Sequence, residues 1–149
     1  MSLYSQIRKL SFLPDGNIPA KWMLGQTGSD KDHIALVAAQ SDRPNCVLQD
    51  STLRAGAHDL IQPIAVLPLT GNKKLAWAVA GGVINDGDDV VSKGDGTIIS
   101  LQASATGNGT YWQVGVCFGD SATGSATLTD AALDGVCFVP QMPVEVTKA

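Results

Sequence analysis

The chain has 149 residues, a length that suits one domain with its own hydrophobic core and is too short for two complete domains. Hydrophobic residues make up 44% of it and charged residues only 16%, below the roughly 25% of an average soluble domain. The net charge of −4 and the scattered basic residues argue against direct nucleic-acid binding, because phosphate neutralisation needs a concentrated basic face.

Residues 1–30 have weak periodicity, because prolines and glycines interrupt the apolar residues at short intervals. Two interpretations fit this region. It is either an extended N-terminal arm that packs along its own domain or a neighbouring molecule, or the first strand and loop of the domain formed by residues 31–149. In an arm, the candidate contact residues are Phe12, Leu13, Trp22 and Met23.

The next segments predict short strands separated by turns. Residues 33–39 and 46–48 are apolar strand candidates on either side of a polar loop. Residues 50–56 fit one helical turn capped by an aspartate or serine and ended by Gly56. Residues 60–69 are apolar but contain two prolines, which predicts a sheet edge or a connection rather than a central strand.

The second half of the chain has the clearer strand pattern. Residues 75–80 alternate large and small side chains, and residues 80–101 place β-branched runs between Gly/Asp turns. Residues 111–118 form the clearest strand, and residues 135–139 form another that is expected to end at Pro140. Taken together, these patterns predict an all-β chain folded as a single small β-barrel or sandwich.

No residue pattern in the chain indicates catalytic or metal chemistry. The four aspartates at positions 86, 88, 89 and 95 lack the spacing of an EF-hand loop and are better explained by turns. His33 and His58 have no ligands at metal spacing, and no Gly-x-Ser-x-Gly nucleophile motif is present. The three cysteines fit small buried apolar residues. We therefore expect no enzyme activity and no cofactor.

Three aromatic residues of the strands, Trp77, Tyr111 and Trp112, leave a second possibility open. Aromatic faces stack on sugars in carbohydrate-binding modules, but in alternating strands they more often lie in a core or an interface. The low charge of the chain also has two explanations: part of the surface is covered by a partner, or small-residue turns replace charged ones.

The chain starts without an apolar signal-peptide segment and has no apolar run of about 20 residues, the length that a membrane helix requires. A protein made and kept in a soluble, cytoplasmic setting is expected, with no membrane partner.

From position 80 onward the chain resembles the capsid decoration, or cement, proteins of tailed bacteriophages. The similar elements follow in the same order: Val83-Ile84, Asp86-Gly87-Asp88, Val90-Val91, Asp95-Gly96 and Val114-Gly115-Val116. The resemblance implies a virion protein on the capsid surface that is made in the host cytoplasm, bridges major capsid protein subunits and often forms trimers. It implies no catalytic residues. The alternative is a receptor- or carbohydrate-binding β-module of a phage head or tail fibre.

Overall fold

The computed structural model describes residues 11–71, 75–124 and 134–149, in which all regular secondary structure is β-strand. No helix in these ranges has the length and hydropathy that crossing a membrane requires. The predicted all-β fold class is confirmed. In chain order the strands are β1 (Ser11–Pro14), β2 (Leu24–Thr27), β3 (His33–Leu36), β4 (Cys46–Leu48), β5 (Leu53–Arg54), β6 (Ala57–His58), β7 (Ile64–Pro68), β8 (Ala76–Val79), β9 (Asp89–Ser92), β10 (Ile98–Ser100), β11 (Gly109–Cys117) and β12 (Gly135–Lys148).

Five strands of the first half close into a barrel in the order β1-β3-β2-β4-β7. Strand β1 closes it by pairing with β3 in parallel and with β7 in antiparallel orientation. The sequence leaves open whether the N-terminal region is an extended arm or the first strand and loop of the domain. In the structure, residues 11–30 contribute β1 and β2 to the barrel. Residues 1–10 lie outside the described residues.

The second half forms a five-stranded antiparallel sheet in the order β10-β9-β11-β12-β8. A bridge between Ala80 and Ile98 brings the end of β8 back to β10, so this sheet curls around its own interior. The turn between β9 and β10 contains Gly94 and Gly96 at positive φ, as the Gly/Asp pattern predicts. The strands expected around Val90-Val91 and Ile98-Ile99 are confirmed, whereas Val83-Ile84 makes only an isolated bridge, between Ile84 and Ala122.

One hydrophobic core joins the barrel to the curled sheet. Leu24 and Val47 of the barrel belong to the same buried cluster as Val90, Ile98 and Phe138 of the sheet. Barrel and sheet therefore pack against each other through this cluster, while a second buried cluster that includes Ile34, Leu48 and Ile64 lies among the barrel strands.

The helical turn expected at residues 50–56 is wrong, because this segment contains the hairpin of β5 and β6. Leu53 pairs with His58 and Arg54 with Ala57. The two residues between them, Ala55 and Gly56, have φ angles of 51° and 85°. Consecutive positive φ angles suit a two-residue hairpin turn and are incompatible with a right-handed helix.

The edge position expected for residues 60–69 is also wrong. Strand β7 pairs with β4 on one side and with β1 on the other, inside the closed barrel. This is possible because Pro63 precedes the strand and Pro68 is its last residue, so neither proline removes a donor from the middle of the ladder.

The sequence predicts that the strand starting at residue 135 ends at Pro140. This is wrong, because β12 continues to Lys148. Its pairing with β8 ends at Phe138, and beyond that point β12 pairs only with β11. An edge strand tolerates proline because its outer N–H groups are not needed for a ladder. A register shift opposite residues 113–115 accommodates the extra residues of β12, including the second proline, Pro143.

Candidate interaction surface

The outer side of strands β8, β12 and β11 carries a row of apolar side chains. Trp77 pairs with Cys137, and the amide of Phe118 donates to the carbonyl of Cys137, so these three residues lie side by side across neighbouring strands. Trp77 is 47% exposed and Phe118 is 59% exposed. We call this surface the apolar face; its members are Trp22, Leu75, Trp77, Val116, Phe118, Cys137 and Val139.

The second row of the apolar face follows from the alternation of side chains along each strand. Val116 pairs with Val139, and both are half-buried. Leu75, two residues before Trp77, is 50% exposed. The face therefore extends over three strands. Single exposed apolar residues are common on protein surfaces, but a continuous apolar patch is typical of an interaction site.

Trp22 continues the apolar face beyond β8. Its ring stacks on Trp77 with the ring centres 5.7 Å apart and an angle of 26° between the planes. The ammonium group of Lys21 lies 4.4 Å from the centre of the Trp22 ring, a cation–π arrangement. The stack places the barrel segment before β2 directly beside the outer side of the curled sheet.

The backbone around Trp22 is adapted to this position. Trp22 has a φ of 65°, which is rare for a bulky residue. Its amide donates a hydrogen bond to the carbonyl of Leu48, and its carbonyl accepts one from the amide of Val79. Its ring lies over Gly135, where an added Cβ would be 2.9 Å from Cζ3 of Trp22. The glycine at the start of β12 therefore makes room for the indole ring.

Carboxylates lie at the Phe118 end of the apolar face. Asp86 accepts a hydrogen bond of 2.6 Å from the amide of Gly119, and Asp120 accepts one of 3.1 Å from the amide of Cys137. Burial and then the charge of Asp120 raise the pKa of the Cys137 thiol. Burial, followed by Asp120 and Asp86, also raises the pKa of Cys117. This end of the face is therefore electrostatically negative.

The four contact residues predicted from the sequence do not lie together. Trp22 belongs to the surface just described, but Met23 is buried beneath it in a cluster with Ala20 and Val79. Phe12 and Leu13 lie half-buried on β1, where Phe12 helps to line a cavity of about 270 Å³ at the barrel. The structure thus brings only Trp22 to the apolar face.

The three aromatic residues considered for sugar stacking are also apart. Tyr111 is buried, and its hydroxyl donates to the carbonyl of Gly107. Trp112 donates from Nε1 to the carbonyl of Ser41, and the guanidinium of Arg43 lies 5.7 Å from its ring centre. Trp77 lies on the apolar face, so no shared platform of the three is formed.

Polar side chains elsewhere have structural partners. Asp95 accepts a hydrogen bond from the amide of Thr97, the local turn role expected for it. His33 bonds Asp30 at 2.7 Å, which raises the pKa of His33 and lowers that of Asp30. Within the described residues, no group of three or more His, Cys, Asp or Glu could hold a metal ion. All three cysteines are free thiols.

Comparison of the chain with protein-family models, with curated proteins and with solved structures gives no match. Its function is therefore proposed from the geometry of this chain together with the sequence resemblance of residues 80 onward. The feature that stands out is an apolar face with a charged end, on a rigid β domain.

Sequence patterns alone did not identify most of the apolar face. Phe118 and Val116 belong to the clearest strand of the chain, and its sequence does not show which of its apolar residues point outward. A signal was available: Phe118 is followed by Gly119 and a polar loop, so it lies at a strand end. Leu75 and Trp77 alternate with small residues, which indicates a face different from that of the alanines.

Proposed function

We propose that this protein is a structural virion protein that binds the outer surface of a phage head and stabilises the lattice of the major capsid protein. The observation that supports the proposal is the apolar face, on which Trp77 is 47% and Phe118 59% exposed. Aromatic side chains that bury roughly 150–250 Å² each are typical anchors of protein interfaces. The resemblance of residues 80 onward to decoration proteins supplies the class of partner.

Such binding stabilises a capsid by mass action. A protein that binds the assembled lattice but not its separate subunits shifts the equilibrium towards assembly. A closed barrel that shares its core with a curled sheet is suited to this role, because a rigid domain loses little conformational entropy on binding.

In this proposal, Trp22, Trp77 and Phe118 make the principal contacts with the capsid. Met23 acts indirectly, since it is buried under the segment that holds Trp22. Self-association into trimers, which the resemblance implies, is part of the proposal. The protein would be made in the host cytoplasm and located on the capsid surface.

The proposal is tested by mixing the purified protein with undecorated phage heads and sedimenting the heads. We expect co-sedimentation that saturates at a fixed ratio to the capsid subunits and heads that resist heat or chelator better. Native mass spectrometry of the free protein then reports whether it is a trimer. Absence of saturable binding would contradict the function.

A second candidate function is a receptor- or carbohydrate-binding module. The observation that favours it is a polar cleft of about 370 Å³ whose lining includes Gln40, Trp112 and Glu145. Such a site combines an aromatic side chain with several hydrogen-bonding groups, as sugar sites do. Specific binding on a glycan array that Trp112→Ala abolishes, without binding to heads, would select this function.

A further inference from the structure

Negatively charged side chains lie at the Phe118 end of the apolar face. Asp86 is exposed and Asp120 is half-buried. Asp86 accepts a hydrogen bond from the amide of Gly119, next to Phe118, and Asp120 accepts one from the amide of Cys137. Neither forms an ion pair with any lysine or arginine in the described ranges. Backbone amides hold these carboxylates in place but leave their net negative charge uncompensated.

We propose that the capsid segment bound by the apolar face carries an apolar anchor with a lysine or arginine beside it. The apolar side chain packs between Trp77 and Phe118, and the basic group lies against Asp86 and Asp120. This inference rests on the proposed function and names the chemistry of the partner at that site.

The hydrogen bonding of Asp86 supports this role. Its Oδ1 atom receives the amide of Gly119, whereas Oδ2 has no hydrogen bond within the described part of the chain. An arginine or lysine of the partner can therefore reach Oδ2 without breaking an existing bond. The adjacent exposed ring of Phe118 supplies the apolar contact, so a single short segment can reach both groups.

Charge complementarity favours such a segment over a second copy of this chain. The chain has a net charge of −4, so a second copy that covered the negative end of the apolar face would bring like charges together, whereas self-association through another surface would not. A basic segment of the capsid protein gains attraction instead, which speeds association and fixes the orientation of the bound domain.

The deciding variant is Asp86→Asn, which removes the charge but keeps an Oδ1 acceptor for Gly119. The matched control is Asp15→Asn, which removes an exposed charge on the barrel after β1, where the carboxylate likewise accepts a backbone amide, that of Ser29. Binding to undecorated heads is measured at low and at high NaCl for the wild type and both variants. Thermal unfolding of each variant checks that the fold is retained.

We expect Asp86→Asn to weaken binding about two- to fivefold at low salt and to reduce its salt dependence. Asp15→Asn should bind like the wild type. If the wild type binds heads but Asp86→Asn shows unchanged affinity and salt dependence, the basic segment is excluded while the proposed function stands. If the wild type does not bind heads, the function itself fails. If Phe118→Ala abolishes self-association but not head binding, the occupant is a second copy.

Discussion

The sequence Gly-Val-Cys-Phe occurs twice, at residues 115–118 and 135–138, and the two copies face opposite ways. In β11, Cys117 is buried and the ring of Phe118, which follows the strand, is 59% exposed. In β12, Cys137 is half-buried on the outer side and Phe138 is 0% exposed. The inward and outward positions of the four residues are therefore exchanged between the two copies.

The register between the strands explains this difference. Cys117 pairs with Phe138, so these two residues point into the curled sheet together. Since successive residues of a strand point to opposite sides, Phe118 and Cys137 then point outward. Composition alone does not distinguish the two copies, because a shift of one residue exchanges every inward and outward position.

The largest expected effect is the loss of stability when the inward phenylalanine is truncated. Phe138→Ala removes a fully buried ring from the shared core and should lower the free energy of unfolding by about 3–5 kcal/mol. Phe118→Ala removes an exposed ring and should change it by less than about 0.5 kcal/mol. Urea denaturation of both variants measures the difference, and equal losses would contradict the assignment of the two faces.

A second effect concerns the glycine that opens the first copy. A Cβ at Gly115 would overlap the carbonyl oxygen of Val139 and lie 2.7 Å from Cδ2 of Phe138. Gly115→Ala should therefore destabilise the protein by about 1–3 kcal/mol through overpacking.

The matched control for that variant is Gly107→Ala, because an added Cβ at Gly107 meets no atom within 4 Å. Its unfolding midpoint should stay close to that of the wild type. If Gly115→Ala were as stable as the wild type, the close approach of β11 and β12 at this point would be wrong.

The sequence predicts the fold class and most of the strands. It does not predict which strands lie at a sheet edge, where β12 ends, or which residues form the apolar face. Apolar runs and Gly/Asp turns located strands such as β9 and β10, because those signals are local. Proline positions alone do not predict β7 and β12 correctly, since tolerance of proline depends on whether a neighbouring strand needs the missing N–H group. The apolar face depends on register, and register is a property of strand pairs that a single segment does not contain.

The two cysteines of the repeated sequence should differ in reactivity. In the folded protein we expect a thiol reagent to label Cys137, whereas buried Cys117 reacts only after unfolding. Cys46 should also be protected, because burial raises its pKa to about 12. The raised pKa of Cys137 makes labelling slow near neutral pH and faster as the pH rises, because the thiolate is the reacting form.

Mass spectrometry of the labelled peptides checks this order. Bound heads should slow the labelling of Cys137 further, since it lies between Trp77 and Phe118 on the apolar face. Labelling of Cys117 before Cys137 in the native protein would reverse the proposed orientation of the two strands.

The most direct test of the account is the affinity of Phe118→Ala for undecorated phage heads, compared with the wild type. We expect binding to weaken about tenfold or more, because an exposed aromatic anchor is lost while the fold is retained. A variant that is folded and still binds heads with wild-type affinity would contradict the central claim that the apolar face is the surface that holds the capsid.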